Sequence, residues 1–255
     1  MTIPPSGEQF ELRAGGHRVT VVEVGGGIRA WDGVLLGYGE DEMCSSGRGQ
    51  VLAPWPNRLA DGRYDWDGEE LQLPLTEVST GSAIHGLVRW ESWRCVEQEE
   101  ARVALEHVLH PQPGYPFTLR LRVEYRLDER GLTVRTGAEN IGSHAAPFGC
   151  GHHPYVLAPD GVDELGLDGE RIGGRKLDET QHRPGGWRIR AGDATVWADA
   201  SWPYAQVFTG DLPDVARRGL AVEPMTCPPQ AFRTGEGVIR LEPGERWSGE
   251  WGIEA

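Results

Sequence analysis

The chain has 255 residues, and its 39 acidic and 25 basic side chains give it a formal net charge of −14. This charge repels nucleic-acid backbones and anionic lipid surfaces, which argues against both as partners and favours a neutral small molecule. No stretch approaches the roughly 20 apolar residues of a membrane span and the first residues show no secretory signal pattern, so we expect a soluble, cytoplasmic protein.

Apolar and polar residues alternate in several segments, which is typical of strands with one buried face. The alternation covers "HRVTVVEV" (17–24), "ARVALEHVL" (101–109), "FTLRLRVEYRL" (117–127), "GLTVRTGAEN" (131–140), "ATVWAD" (194–199) and "YAQVFTG" (204–210). Asp67-Gly68 within 64–73 predicts a tight hairpin turn, and "LDERGLTV" (127–134) predicts a second. Because 36 glycines and 18 prolines leave little room for helices, we predict an all-β fold. The predicted architecture is a large antiparallel β-sandwich that forms a single domain over residues 1–255.

Two further features bound this interpretation. The polar, glycine-rich stretch 163–193 alternates poorly, and we expect it to run over the surface as a long loop. The four cysteines, Cys44, Cys95, Cys150 and Cys227, lie far apart without a C-x-x-C pair. We therefore expect them to be reduced packing residues and predict neither a zinc site nor a disulfide framework.

Two polar clusters stand beside prolines and glycines. In "APWPNRLADGRY" (53–64), two prolines hold the backbone just before Asn57 and Arg58. An arginine fork binds sugar hydroxyls or a carboxylate, and the alternative is a surface loop with one salt bridge. In "IHGLVRWESW" (84–93), His85 directly precedes Gly86, and the alternative to a functional histidine is one satisfied within its loop.

A third segment, "GCGHHPYVL" (149–157), sets His152 and His153 side by side. Pro154 biases the residue before it toward an extended conformation, in which neighbouring side chains point to opposite faces. At most one of the two histidines therefore faces a given site. They cannot both bind one metal ion from a strand, and H-x-H and H-x-x-E spacings are missing, so a metal site is the less favoured use of these residues.

A fourth segment, "AVEPMTCPPQAF" (221–232), carries Glu223 at the end of an apolar strand. Partial desolvation there raises the pKa of a carboxyl group and makes it a better base near neutral pH, whereas the alternative is a buried glutamate paired with an arginine. Glu223 and one histidine on a common ligand would form an acid/base pair. No nucleophile elbow, phosphate-binding loop or dinucleotide fingerprint occurs in a fitting context.

Four segments taken together, "PWPNRLADGRYDWDGEELQLPLTE", "HGLVRW", "NIGSHAAPFGCGHHPYV" and "AVEPMTCPPQAF", resemble the aldose 1-epimerase (galactose mutarotase) family, in particular its shorter bacterial members. The resemblance runs from about residue 20 to the C-terminal "LEPGERWSGEWGIE". It implies a β-sandwich with an open sugar-binding cleft on one concave face. It also implies the reaction, which is the interconversion of the α and β anomers of a free aldose through the open-chain aldehyde.

The resemblance implies a role for each candidate residue. Glu223 matches the general base, which takes the proton of the C1 hydroxyl, and His153 matches the general acid, which protonates the ring oxygen. His85 matches a second histidine that hydrogen-bonds near the ring oxygen, and Asn57 and Arg58 match substrate-binding residues. Mutarotation occurs in water and needs only paired acid and base groups, so we expect no cofactor. The expected partner is a small-molecule sugar, and the chain is expected to be a monomer or a homodimer.

One departure from the family pattern concerns an aspartate that binds sugar hydroxyls from a "D-x-x-F" segment before the "VFTGD" strand. The stretch "KLDETQHRPGGWRIRAGDATVWAD" has no such segment, and Asp178 resembles an ordinary loop acid, so we expect this carboxylate to be missing. Two alternatives stay open. One is a non-catalytic carbohydrate-binding protein of the same fold, and the other is a hexose-6-phosphate 1-epimerase, for which only Arg58, Arg63 and Arg89 lie near the motifs.

Overall fold

The computed structural model describes residues 3–255, which form 24 strands, one short helix and two 3₁₀ turns. The first twelve strands are β1 (Gln9–Ala14), β2 (His17–Val22), β3 (Ile28–Trp31), β4 (Val51–Leu52), β5 (Arg58–Ala60), β6 (Arg63–Trp66), β7 (Glu69–Gln72), β8 (Ser82–Ile84), β9 (Arg94–Glu99), β10 (Arg102–Leu109), β11 (Leu119–Asp128) and β12 (Gly131–Asn140). The others are β13 (Ala146–Phe148), β14 (Gly151–His152), β15 (Tyr155–Leu157), β16 (Gly166–Leu167), β17 (Glu170–Arg171), β18 (Asp178–His182), β19 (Trp187–Ala191), β20 (Ala194–Ala198), β21 (Tyr204–Phe208), β22 (Gly219–Met225), β23 (Ile239–Leu241) and β24 (Arg246–Glu254). The helix α1 spans Ala231–Thr234, and the 3₁₀ turns span Val78–Thr80 and Val162–Glu164.

The strands with the longest alternation build a nine-stranded antiparallel sheet in the order β17-β16-β19-β20-β24-β12-β11-β10-β9. In β11 every second side chain from Leu119 to Leu127 is buried, and Arg120 and Arg126 are exposed on the opposite face. Burying one face of each strand removes apolar surface from water and leaves charged residues solvated. This is the pattern predicted for 117–127, and the predicted hairpin between β11 and β12 is confirmed.

A second antiparallel sheet has the order β18-β21-β22-β14-β4, with β15 also paired to β22. Strand β22 is buried along its whole length. Val222 belongs to the same apolar cluster as Trp251 of the nine-stranded sheet, whereas Ala221 on the opposite face packs with Tyr155. One face of β22 therefore closes the sandwich and the other faces away from it. The predicted all-β antiparallel sandwich is confirmed.

Smaller antiparallel sheets complete the fold: β1-β2-β3, β5-β8, β6-β7 and β13-β23. Between β6 and β7, Asp67 has a φ of 50° and Gly68 a φ of 86°. Two successive residues with positive φ make the type I′ turn whose twist suits a two-residue hairpin, so the predicted turn is confirmed.

The prediction for 163–193 is wrong in part, because this segment contains strands as well as loops. Strand β19 joins the nine-stranded sheet and alternates buried and exposed residues over its five positions. Strand β18 pairs with β21 in the second sheet. Glycines bracket β19 at Gly186 and Gly192, and they shortened the alternating run enough to hide it among the polar residues.

The cysteines agree with the expectation of packing residues. All four are free within residues 3–255, and Cys44, Cys150 and Cys227 are buried. Among the same residues, no helix has the length and apolar character needed to cross a membrane.

Candidate active site

A cavity of about 270 Å³ lies over the face of the second sheet that points away from the sandwich core. Its walls come from β22, from the residues between β14 and β15, and from loops around β5 and β8. The structure brings all the residues singled out from the sequence to this one place: Asn57, Arg58, His85, His153 and Glu223.

A larger open depression of about 570 Å³ lies on the outer face of the nine-stranded sheet. Its arginines and glutamates pair with one another, as in Arg120–Glu139 at 2.8 Å and Arg122–Glu106 at 3.1 Å. Exposed pairs of this kind are typical of a solvated sheet face and contribute little energy. We therefore assign the chemistry to the smaller cavity.

Strand pairing places the two central groups. Strands β14 and β15 both pair with β22, in a register that sets His153 directly across from Glu223. The His153 Nε2 and Glu223 Oε1 atoms are 3.5 Å apart, and the two residues are only 4% and 2% exposed. Cross-strand neighbours on one face hold their Cβ atoms at a nearly fixed separation, so the sheet itself positions this pair.

The two adjacent histidines face opposite sides, as extended geometry predicts. His152 points into the core, where its Nε2 lies 2.8 Å from the hydroxyl of Thr136 and its ring packs against Trp202 and Trp251. The Nδ1 atom of His152 is buried without a hydrogen-bond partner in the described part of the chain. His153 is thus the histidine available to a ligand.

Backbone contacts fix the orientation of His85. The backbone N–H of Asn57 donates to Nδ1 of His85 at 3.1 Å, and the backbone N–H of His85 donates to the carbonyl of Asn57 at 2.9 Å. A neutral imidazole whose Nδ1 accepts carries its proton on Nε2. His85 therefore presents an N–H donor from its other nitrogen. Both residues adopt a positive φ, 55° for Asn57 and 61° for His85, which is an uncommon conformation that these loop contacts hold.

Arg58 lines the cavity and also forms the salt bridge that the sequence analysis kept as an alternative. Its Nε and Nη2 atoms donate to the two carboxylate oxygens of Glu77 at 2.6 and 2.9 Å. Such a two-point contact fixes the plane of the guanidinium and offsets its charge. Glu77, which sequence reasoning did not single out, thus belongs to the cavity wall.

The expectation that the cavity lacks a further carboxylate is wrong. Asp178 lines the same cavity from β18. The side-chain amide of Gln206 on β21 donates to Asp178 Oδ1 at 2.6 Å, and Gln206 itself pairs in register with Glu223. Because β18, β21 and β22 are adjacent strands, and Asp178 pairs in register with Phe208 whereas Gln206 pairs with Glu223, Asp178 lies diagonally across from Glu223 on the cavity face. The sequence did not reveal this, because no "D-x-x-F" pattern marks the strand that carries Asp178.

Burial shifts the protonation of the central pair toward neutral forms. It raises the pKa of Glu223 well above its usual value, and the charge of Asp178 adds to this effect while Arg58 opposes it. Burial also lowers the pKa of His153 to about 3 and that of His85 well below its usual value. A carboxylic acid beside a neutral imidazole is therefore the favoured form of the pair, which carries one proton in all.

Three further residues shape the cavity around His153. The ring of Tyr155 stacks on the imidazole with centroids 4.8 Å apart, and alternation along the strand could have revealed it. Gly47 has a φ of 69°, and a Cβ atom there would lie 2.9 Å from Cδ2 of His153. Arg89 lines the cavity from the end of the segment "HGLVRW". The contact of Gly47 with His153 joins distant parts of the chain and left no local signal, whereas Arg89 lies beside a motif and could be noted from the sequence.

The chain is similar to several known proteins. A family model described as aldose 1-epimerase matches residues 8–173. The uncharacterized protein YihR of Escherichia coli K12 is 36% identical over 94% of this chain and 91% of its own length. A galactose mutarotase of Rattus norvegicus is 28% identical over 63% of this chain and 52% of its own length. A crystal structure of the GalM/aldose epimerase homologue from C. elegans superimposes with a TM-score of 0.82 at 15% identity, covering 97% of this chain and 98% of the other.

Proposed function

The chain belongs to the aldose 1-epimerase family, and on that premise we propose that it interconverts the α and β anomers of a free aldose in the cavity over β22. The observation that carries the proposal is the pairing of Glu223 with His153, two buried proton-transfer groups of opposite function placed across from each other. Family membership supports a carbohydrate epimerase in general, and the geometry supports ring opening by this particular pair.

In the proposed mechanism Glu223 accepts one proton from the sugar while His153 donates another to it. Glu223 takes the proton of the C1 hydroxyl while Nε2 of His153 protonates the ring oxygen, and the bond between C1 and the ring oxygen breaks. The Nε2 proton of His85 donates a hydrogen bond to the same ring oxygen and stabilises the charge that develops there. Rotation about the C1–C2 bond and reclosure with the two roles reversed yields the other anomer.

This cycle agrees with the protonation state that burial favours. The pair holds one proton throughout, either on His153 before ring opening or on Glu223 after it. Because the neutral arrangement is favoured, only a minority of the molecules carry the proton on His153 at any moment. We expect kcat/KM to follow a bell-shaped pH profile, with loss of activity when the pair gains a second proton and when it loses its only one.

The test follows freshly dissolved α-glucose and α-galactose by polarimetry with purified protein. We expect Glu223→Gln and His153→Asn each to lower kcat by about 10²- to 10⁴-fold, which is the usual contribution of a positioned acid or base. His152→Phe is the matched control, since it changes the adjacent histidine on the opposite face and is expected to retain activity.

Unchanged rates in both cavity variants would contradict the assigned roles. Activity lost in His152→Phe and kept in His153→Asn would mean that the strand faces the other way. Measurable sugar binding without acceleration of any aldose by the wild-type protein would instead favour the non-catalytic carbohydrate-binding alternative.

A further inference from the structure

One cation in the cavity has no counter-charge. Arg89 lines the cavity together with Arg58, but Arg58 is neutralised by its two-point contact with Glu77. Among residues 3–255, no carboxylate forms an ion pair with the guanidinium of Arg89, and none of its side-chain nitrogens has a hydrogen-bond partner. Burial accordingly lowers the pKa of Arg89, and the negative groups around it only partly oppose this.

The backbone of Arg89 is nevertheless firmly held. The side-chain amide of the buried Gln50 donates to the carbonyl of Arg89 at 2.8 Å. The guanidinium lies 5.7 Å from the ring centroid of Trp90, a distance at which cation and ring attract each other. The five donors of this partly buried guanidinium have no acceptor within residues 3–255, so they are available to a ligand that enters the cavity.

Arg89 is connected to the histidine side of the cavity. The backbone N–H of His153 donates to the carbonyl of Gln50 at 3.2 Å, and the side-chain amide of Gln50 donates to the carbonyl of Arg89. The charge of Arg89 also lowers the pKa of both His85 and His153. In the proposed mechanism the histidines contact the ring oxygen. The carbon bonded to that oxygen on the side away from C1 is C5, so a group attached to C5 lies on the histidine side of the cavity that Arg89 also lines.

We propose that the substrate is an aldose with an anionic substituent on C5 or C6, and that Arg89 binds this anion. The inference rests on the proposed mutarotase function and names its substrate class. A guanidinium fork matches carboxylate, sulfate, sulfonate and phosphate oxygens. Because only one guanidinium is left uncompensated, a singly charged group fits better than a doubly charged one. The negative charge of the whole chain does not oppose this contact strongly, since salt screens it beyond about 8 Å.

The experiment compares four reducing sugars in the same anomerisation assay: glucose, glucuronate, glucose 6-sulfate and glucose 6-phosphate. Each rate is corrected for the spontaneous reaction of that sugar. We expect the wild-type protein to have a higher kcat/KM for at least one anionic sugar than for glucose. The order of kcat/KM among the three anionic sugars shows whether the site prefers a carboxylate or a tetrahedral group, and whether it prefers one negative charge or two.

The decisive variant is Arg89→Gln, with Arg63→Gln as the matched control because Arg63 is exposed on β6 outside the cavity. A hydrogen bond to a charged group is worth about 1.5–3 kcal/mol, so we expect kcat/KM for the preferred anionic sugar to fall about 10- to 100-fold in Arg89→Gln. The ratio of kcat/KM for the anionic sugar to kcat/KM for glucose should fall by a similar factor, because any effect of the Arg89 charge on the histidines is common to both sugars, and Arg63→Gln should leave this ratio unchanged.

Three outcomes would overturn the inference. If glucose is a better substrate than all three anions, the mutarotase function stands and the anionic substrate class is wrong. If Arg89→Gln lowers the rates for glucose and for the anionic sugar equally, Arg89 acts on the histidines and does not bind an anion. If no sugar, charged or neutral, is accelerated by the wild-type protein, the proposed function itself fails.

Discussion

Replacing His152 by phenylalanine should make the protein less sensitive to acid. His152 is 1% exposed, and burial lowers its pKa to about 3, while an unfolded chain protonates histidine near 6.5. Below pH 6.5 the unfolded state gains a proton that the folded state cannot take up, so folded stability is lost as the pH falls and the loss levels off near pH 3. Between pH 7 and pH 5 this one group costs about 2 kcal/mol.

The difference in unfolding free energy at pH 7 combines two opposing effects, because phenylalanine removes both the hydrogen bond to Thr136 and the buried Nδ1 that has no partner. Those contributions do not depend on pH and cancel when two pH values are compared. The assay is therefore urea unfolding of both proteins at pH 7 and pH 5. We expect the wild-type protein to lose about 2 kcal/mol more than His152→Phe on acidification.

A second comparison at pH 7 and pH 8 serves as the control, since the imidazole is then mostly neutral in the unfolded state and neutral in the folded one, so the two proteins should respond alike to within about 0.2 kcal/mol. Equal losses for the two proteins between pH 7 and pH 5 would refute the reasoning. That result would mean that the folded protein accepts a proton on His152 despite its burial.

Two further predictions concern the cavity. Gly47→Ala places a Cβ atom against the ring of His153 and should lower kcat at least tenfold. The control is Gly185→Ala, which shares the positive φ but has open space around it and should lower only the stability of the fold. Equal values of kcat in the two variants would argue against the contact. Asp178→Asn removes a charge that raises the pKa of Glu223, so the alkaline limb of the kcat/KM profile should move to lower pH, and an unmoved limb would show that the carboxylate does not act on the pair.

The long strands were predictable because their alternation reports burial directly. The ten residues of β11 repeat the pattern of one buried face without a break. Asp67-Gly68 was recognisable as the turn between β6 and β7 because both residues tolerate positive φ. Strands β20 and β21 have five residues each and were still predicted, whereas the five residues of β19 lie between glycines and include two arginines within a polar segment. Period-two reasoning thus fails where the surrounding sequence hides the alternation.

Part of the site could also be predicted, for a related reason. Alternation together with Pro154 established that His152 and His153 point to opposite faces. The partner of His153 lies 70 positions further along the chain, and the register that joins them depends on β22 as a whole. The expectation for Asp178 was wrong for the same reason, since its contact with Gln206 depends on the pairing of β18 with β21 and on nothing in its own neighbourhood.

The cavity residues stand on two kinds of backbone, paired strands and loops, which differ in how well they tolerate changes in sequence. Glu223 and His153 sit on a hydrogen-bonded ladder, where an inserted or deleted residue would turn one of the two side chains into the core. Arg58 stands at the start of a two-stranded sheet and Arg89 in a loop, so either can be exchanged without disturbing that ladder. Under the proposed function, substitutions at the rim of the cavity can therefore change the sugar that is bound without moving the pair at its centre.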